Sequence, residues 1–355
     1  MKKFYLLCFV LICFFGCTKE GTRTTAKKDD AKTARIKVTA TFQTLMSKTD
    51  TVQISSETVT FVDDSGRTEA LTLKRNPKKV AVLYGSYAVL WAECGGTVSV
   101  GIGGKNAVAL YEEQIGRDIT QDKGFIEVAK TSAAIHWDIE KILVTQPDLI
   151  ICSTAMRGYE TISAHAQQAN IPVIAISYNS IKDYVKWAKV FTALNSREDL
   201  YETVTLPVAQ RVAEIIDKIP PDRNVKVLSL FPSVKTTKAN LANSSIGDML
   251  VDLKATNIAQ AFNTDSTAER VDLNIEQIFK ADPEYILIQV QESEAFVKKN
   301  LEKTLAANPI WNELSAVKNN KVYFLPKELF HNRANKSYAE AYKMLAALLY
   351  PDIKF

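Results

Sequence analysis

The chain has 355 residues, more than the roughly 100–200 residues of one domain, so two domains are expected. Hydrophobic residues make up 46% and charged residues 24%, which is a globular composition and excludes a disordered or fibrous chain. The formal charge of +4 is too small to indicate nucleic-acid binding. The five cysteines are too few for a disulfide scaffold, and the three histidines argue against a histidine-rich metal centre.

A short basic region followed by an apolar run predicts a secretory signal at the start of the chain. The run, residues 4–15, is too short to span a bilayer as a helix. It ends in FFGC, which resembles a bacterial lipoprotein box with Cys17 as the acylated residue; a plain signal peptide or a membrane anchor is the alternative. The pattern predicts a signal peptide over 1–16 and a flexible, lipid-anchored tether over 17–35. It therefore predicts an exported protein on the periplasmic or cell-surface face of the membrane.

The next elements are strands. Alternating apolar and polar residues around an Asp-Asp-Ser-Gly turn predict a β-hairpin over residues 59–73. Short apolar runs downstream predict buried strands of a mainly parallel sheet. These runs are residues 80–83, 98–102, 149–152 and 173–176. The stretches between them, such as 87–94 and 159–170, have helical spacing, and this alternation predicts the α/β fold class.

Two pairs of segments repeat within the chain. Residues 138–153 (DIEKILVTQPDLIICS) and 274–289 (NIEQIFKADPEYILIQ) share Ile, Glu, Ile, Pro and Ile at matching positions without a gap. Residues 79–84 (KVAVLY) and 226–231 (KVLSLF) form a second pair in the same order along the chain. Two repeats in order predict two lobes of similar design.

The predicted lobes are residues 36–180, which include the hairpin, and residues 222–355. Between them, residues 181–221 carry an apolar stripe of helical period in their second half and predict a helical linker interrupted at 195–196. Pro207 predicts a kink or the first turn of a helix within this linker. A stiff helical connection argues against a large closing motion of the two lobes.

Six segments in order resemble one known family. They are NPKKVAVLYGSYAVLWAECGG, WDIEKILVTQPDLIICS, NIPVIAIS, SSIGDMLVDLKATNIA, VDLNIEQIFKADPEYILIQ and NPIWNELSAVKNNKVYFLP. The sequence is similar here to the substrate-binding lipoproteins of bacterial ABC importers for iron–siderophore complexes, haem and cobalamin. The resemblance implies two Rossmann-like α/β lobes joined by one long linker helix, with the ligand cleft between the lobes.

The resemblance also implies a function. The protein is expected to be a monomer without enzymatic activity or an intrinsic cofactor. It would capture an iron chelate, a ferric siderophore or haem, and deliver it to the permease of an ABC importer. Cobalamin or another metal chelate on the same scaffold is the nearest alternative. A secreted hydrolase, which would need a nucleophile and a base, and a surface adhesin are alternatives from other classes.

Candidate binding residues follow from the predicted strands, because ligands of open α/β sheets sit beyond the carboxyl ends of the strands. The cations among them suit the carboxylates of haem or an anionic ferric chelate, although surface solvation explains any one of them equally well. The aromatic residues would supply flat apolar walls. The predicted ligand-binding residues are Tyr84, Ser86, Tyr87, Met156, Arg157, Tyr178, Phe231, Lys235, Lys238, Phe330, His331 and Arg333.

His331 is the sharpest single candidate, because an imidazole in a loop can ligate iron axially. A hydrogen bond from its ring to a loop carbonyl is the alternative. The resemblance further implies that an acidic residue on each lobe docks on the permease, here Glu93 and Asp248. Cys94 and Cys152 are either buried thiols or a disulfide.

The glycine-rich segment at residues 101–104, Gly-Ile-Gly-Gly, suggests a nucleotide site at first sight. It lacks the Lys-Ser/Thr pair of a phosphate-binding loop. The segment therefore predicts a turn.

Overall fold

The computed structural model describes residues 36–134, 136–233 and 236–355. The predicted signal peptide, Cys17, the tether and Lys235 lie outside the described residues. Within the described part of the chain, the strands form three sheets, which are taken here in chain order.

The first sheet is small and antiparallel. It consists of β1 (Gln53–Ile54), β2 (Thr58–Phe61) and β3 (Leu71–Lys74). Val59 lies opposite Leu73 across β2 and β3, which confirms the predicted hairpin.

The second sheet is parallel, with the strand order β6-β5-β4-β7-β8. Its strands are β4 (Val80–Val82), β5 (Val100–Ile102), β6 (Ile126–Ala129), β7 (Leu149–Ser153) and β8 (Val173–Ile176). Four of them confirm the predicted strands. The fifth, β6, is an additional edge strand, half-buried and without the continuous apolar run that marks the others.

The third sheet has the order β12-β10-β9-β13-β14, and β11 also pairs with β9. Its strands are β9 (Lys226–Pro232), β10 (Thr237–Asn240), β11 (Thr256–Asn257), β12 (Arg270–Asp272), β13 (Tyr285–Gln289) and β14 (Val322–Leu325). Strands β9, β13 and β14 are parallel, whereas β10 runs antiparallel to both β9 and β12.

Helices follow or connect these strands. They are α1 (Ala40–Met46), α2 (Gly85–Glu93), α3 (Lys105–Ile115), α4 (Ile139–Val144), α5 (Tyr159–Gln168), α6 (Ile181–Leu194), α7 (Glu198–Leu200), α8 (Leu206–Asp217), α9 (Ser245–Asp252), α10 (Ile275–Ala281), α11 (Glu294–Thr304), α12 (Ser315–Lys318), α13 (Lys327–Phe330) and α14 (Tyr338–Leu349). No helix among the described residues is long and apolar enough to cross a membrane.

The internal repeat corresponds to a structural repeat. Val80 of β4 lies opposite Leu149 of β7, and Val227 of β9 lies opposite Tyr285 of β13. These are matching positions of the two repeated pairs, so both lobes are built around the same strand pair in the same register. The preceding helices α4 and α10 also begin alike, because the side chains of their N-cap residues both accept hydrogen bonds from first-turn N–H groups.

The linker is helical, with the predicted interruption. α6 starts in a capping box between Ser180 and Asp183 and ends at Leu194. Ser196, with a φ of 55°, breaks the helix. A second helical stretch then runs from α7 through a π-helical turn into α8. Pro207 lies in the first turn of α8, directly after the π-helical turn Tyr201–Thr205.

The two lobes share part of their core. One continuous cluster of buried apolar side chains includes residues of α2, α6, α8, α9 and α14 and reaches both the second and the third sheet. Ile36–Phe355 therefore form a single compact unit. The lobe boundaries given above remain predictions, since no break in packing separates them.

The hairpin turn covers an open sheet edge. The backbone N–H of Asp64 donates to the carbonyl of Ala175 in β8, and the N–H of Ala175 donates to Asp63 Oδ2, both at 2.9 Å. Arg67 pairs with the same Asp63 carboxylate, at 2.9 Å from Nε to Oδ1. The polar turn therefore supplies hydrogen bonds that the edge strand β8 would otherwise lack.

Candidate ligand-binding site

A cavity of about 560 Å³ lies at the carboxyl ends of parallel strands of the second and third sheets. The first lobe contributes Tyr84 after β4, Ser153 at the end of β7, and Asn179 after β8. The second contributes Phe231 near the end of β9 and Gln289 at the end of β13. The cavity is therefore a cleft between the lobes, at the edge where open α/β sheets bind ligands.

Arg333 forms hydrogen bonds to both lobes across this cleft. Its Nη1 donates to Ser245 Oγ of the second lobe at 2.9 Å, and its Nη2 donates to Asn179 Oδ1 of the first lobe at 2.8 Å. Its Nε is buried and has no acceptor among the described residues. Both acceptors are neutral, so the positive charge of Arg333 is held in place but not neutralised by them.

Arg270 is the second cation of the cleft. Its guanidinium carbon lies 4.0 Å from the centre of the Phe231 ring, and its Nε donates to Asn240 Oδ1 at 3.1 Å. The adjacent Glu269 forms a long ion pair with it, with Oε2 at 3.5 Å from Nη1. Burial lowers the pKa of Arg270; Glu269 opposes this effect and the charge of Arg333 adds to it. The guanidinium is thus oriented mainly by stacking and by one amide.

A network of buried amide side chains connects Arg270 to the backbone of Phe330. Asn240 Nδ2 donates to Ser229 Oγ at 3.0 Å and to Gln289 Oε1 at 3.3 Å. Gln289 Nε2 then donates to the carbonyl of Phe330 at 2.6 Å. Each amide is buried and hydrogen-bonded. The network therefore fixes the orientation of Arg270 and the position of the Phe330 carbonyl, which directly precedes His331.

That next residue, His331, follows α13 and lines the cleft beside Phe231, with the two ring centres 6.3 Å apart. Burial lowers the pKa of His331 to about 4, and the charges of Lys327, Arg333 and Arg270 contribute in the same direction. At neutral pH the ring is therefore uncharged and keeps one nitrogen lone pair. That lone pair can accept a hydrogen bond or coordinate a metal ion.

Half of the predicted binding residues line this cavity. They are Tyr84, Met156, Arg157, Phe231, His331 and Arg333. Ser86 lines an adjoining cavity, and its Oγ lies 3.4 Å from the backbone nitrogen of Arg333.

Three predicted residues are instead part of the core. Tyr87 and Tyr178 are 1% exposed and stack on each other, with ring centres 6.1 Å apart. The hydroxyl of Tyr178 donates to Asn335 Oδ1 at 2.9 Å, and Phe330 is also 1% exposed. Each of the three follows a strand, as expected, but the helix or turn that begins there points the side chain inward. They belong to the core on which the cleft residues pack.

The prediction for Lys238 is also corrected. The sequence predicts it in a loop, but it lies in β10, and its Nζ is 3.1 Å from Asp272 Oδ1 on β12. It does not line the cleft.

Neither predicted docking carboxylate is displayed openly on the surface. The Glu93 side chain is 7% exposed, and Lys336 Nζ lies 3.4 Å from its Oε1. Asp248 Oδ2 is buried without a hydrogen-bond partner among the described residues. Cys94 and Cys152 are free and buried, so of the two alternatives for this pair the structure shows the thiols.

Further cavity residues are not predicted from the sequence; they include Asn179, Ser245, Glu269, Arg270 and Gln289. Arg270 begins a three-residue strand with a single apolar residue, which pairs with the antiparallel strand β10, so the rule for parallel strands does not find it. Ser245 has a usable signal, because the preceding Ser244 is an evident N-cap of α9.

A two-lobed α/β fold with a cation-lined cleft between the lobes is the architecture of a small-molecule binding protein. The family model described as periplasmic binding protein matches residues 80–329, and the chain belongs to this family. The resemblance seen in the sequence is thereby confirmed. Membership implies export, a small-molecule ligand and a permease partner.

Individual relatives agree with this assignment. The Fe(3+)-citrate-binding protein of Bacillus subtilis (strain 168) is 24% identical over 263 residues, which are 74% of this chain and 76% of that protein. An ABC transporter substrate-binding protein from Listeria monocytogenes EGD-e has a TM-score of 0.63 at 18% identity, covering 78% of this chain and 100% of that one. S. aureus IsdE complexed with heme has a TM-score of 0.61 at 18% identity, covering 76% and 98%. The two structures are similar to this chain in fold.

Proposed function

We propose that this protein captures an anionic iron chelate, a ferric siderophore or haem, in the cleft and delivers it to the permease of an ABC importer. The observation that carries the proposal is the meeting of Arg270 and Arg333 over one cavity, where Arg333 has no carboxylate partner among the described residues and Arg270 has only the long ion pair with Glu269. The names of the Bacillus iron-citrate relative and of the heme-bound structure support iron as the metal.

The cleft suits an anion because partly buried guanidinium groups are stabilised by an opposite charge. Arginine also pairs with planar carboxylates through two parallel hydrogen bonds, which gives orientation as well as affinity. Tyr84, Met156 and Phe231 add apolar surface around these charges. A chelate with carboxylates at its rim and an apolar body would satisfy both features.

We further propose that Cys17 carries the lipid anchor, with 17–35 as its tether. The expected result is that the mature full-length protein fractionates with membranes and carries acyl chains detectable by mass spectrometry. Cys17→Ala should be released into the soluble fraction or retain its signal peptide. An unacylated mature protein that begins elsewhere would overturn the anchor and leave the binding proposal unaffected.

The binding proposal is tested on residues 22–355, which include the whole compact unit. Ferric citrate, a ferric hydroxamate siderophore, haem and cobalamin are titrated separately, with tryptophan fluorescence and the absorption spectrum as readouts. We expect saturable binding of at least one anionic iron chelate. Binding of cobalamin alone, or of none of the four, would overturn the proposal.

His331→Ala separates the two iron ligands. If haem is the ligand, the wild-type protein shifts the Soret band and His331→Ala abolishes that shift, because the imidazole, neutral at pH 7, would then be the group that holds the haem iron. If a ferric siderophore is the ligand, quenching saturates without a Soret shift and His331→Ala has a smaller effect. His136→Ala, an exposed histidine that does not line the cavity, is the matched control.

A further inference from the structure

A second cavity, of about 710 Å³, adjoins the cleft. Tyr84, His331 and Arg333 line both cavities, so the second space lies directly beside the cleft. We call this space the lysine annex, because Lys105, Lys130 and Lys327 line it.

The annex has an excess of positive charge. Lys105 and Lys327 have no carboxylate within 4.0 Å among the described residues, whereas Lys130 pairs with Glu127 at 2.7 Å. Glu292 is the acidic residue on the lining. Arg333, on the lining that the two cavities share, adds a further positive charge, and its buried Nε has no acceptor in the described part of the chain.

The backbone around the annex is also favourable for an anion. α2 and α3 both begin there, and their N-cap residues, Tyr84 and Gly104, provide no side-chain acceptor for the first-turn N–H groups. A Cβ at Gly104 would overlap the carbonyl oxygen of Lys130, so only glycine lets α3 begin this close to that lysine. The positive ends of two helices therefore reinforce the lysines. The glycine-rich turn of the sequence thus has a role in shaping the annex.

We propose that the lysine annex is an anion subsite that binds a free carboxylate arm of the chelate whose iron centre occupies the cleft. The inference rests on the proposed function and narrows it, because it selects iron complexes that keep uncoordinated carboxylates. An uncharged trihydroxamate complex would gain nothing from the annex. Affinity for the favoured ligands should fall with ionic strength, since exposed lysines act through screened charge.

The test compares Lys105→Gln/Lys327→Gln with the wild type, using ferric citrate and haem as carboxylate probes and ferrichrome as the uncharged probe. We expect the double variant to bind the carboxylate probe about ten-fold more weakly and with a smaller salt dependence. Its affinity for ferrichrome should stay at the wild-type value. Glu292→Gln, on the same wall, should change affinity for the carboxylate probe in the opposite direction.

The matched control is Lys280→Gln/Lys343→Gln, which removes the same charge from exposed positions outside both cavities. Wild-type protein that binds none of the three probes would refute the proposed function itself. Wild-type protein that binds a carboxylate probe with an affinity unchanged in the double variant would refute only the annex. Binding of ferrichrome alone, or an equal loss for charged and uncharged probes, would also refute the annex.

Discussion

Arg270→Gln is expected to weaken binding of an anionic ferric chelate by about 30- to 1000-fold, which corresponds to about 2–4 kcal/mol. The glutamine keeps a polar side chain but loses both the charge and the fork that faces a carboxylate. Stacking on Phe231 and the bond to Asn240 hold the wild-type guanidinium in place, so little side-chain entropy is lost when the ligand binds. Calorimetric or fluorescence titration at fixed salt measures the change.

Arg211→Gln is the control, because it removes one positive charge from an exposed position on α8. Its affinity should equal that of the wild type. Arg270→Lys should fall between the wild type and Arg270→Gln, since it restores charge without two parallel hydrogen bonds. If Arg270→Gln binds within about three-fold of the wild type while its melting temperature is unchanged, Arg270 does not contact the ligand.

Glu93→Gln is expected to stabilise the protein at pH 8.5 by about 2–3 kcal/mol and to leave stability at pH 4.5 nearly unchanged. Burial raises the pKa of Glu93 from 4.5 to about 7, and the neighbouring Lys336 only partly offsets this. The folded state therefore binds more protons than the unfolded state between these two values. Wild-type stability falls as pH rises from about 4.5 to about 7, and the neutral glutamine avoids this loss.

Urea unfolding at pH 4.5, 7 and 8.5 measures this effect as a change in free energy of unfolding. Burial likewise raises the pKa of Asp248 to about 7, so Glu93→Gln should flatten the pH profile without removing it. Glu112→Gln, at an exposed position on α3, should reproduce the wild-type profile. A Glu93→Gln protein that is less stable at pH 8.5 would mean that the Lys336 ion pair outweighs the cost of burying the carboxylate.

The fold is largely predictable because its signals are local or repeated. Buried parallel strands require short apolar runs, and four such runs identify four strands of the first parallel sheet. The two repeated segment pairs indicate a second lobe from sequence alone. Their shared register gives the reason, since the first members of both pairs form the adjacent strands β4 and β7 of one sheet and the second members form β9 and β13 of the other. The edge strands β6 and β12 escape prediction, because both are only partly buried and lack a continuous apolar run.

The α/β class, the two-lobed plan, the helical linker and the strand ends at which a ligand would bind all follow from local sequence patterns. Which side chains face the cleft depends on tertiary packing, because residues a few positions apart after a strand point to different sides once a helix begins. Tyr84 therefore lines the cavity while Tyr87 is buried. The remaining features of the site depend on contacts between segments that are distant in sequence. Arg270 reaches the cleft through the pairing of β12 with β10. Lys336 lies against Glu93 only because the chain after β14 crosses to the first lobe.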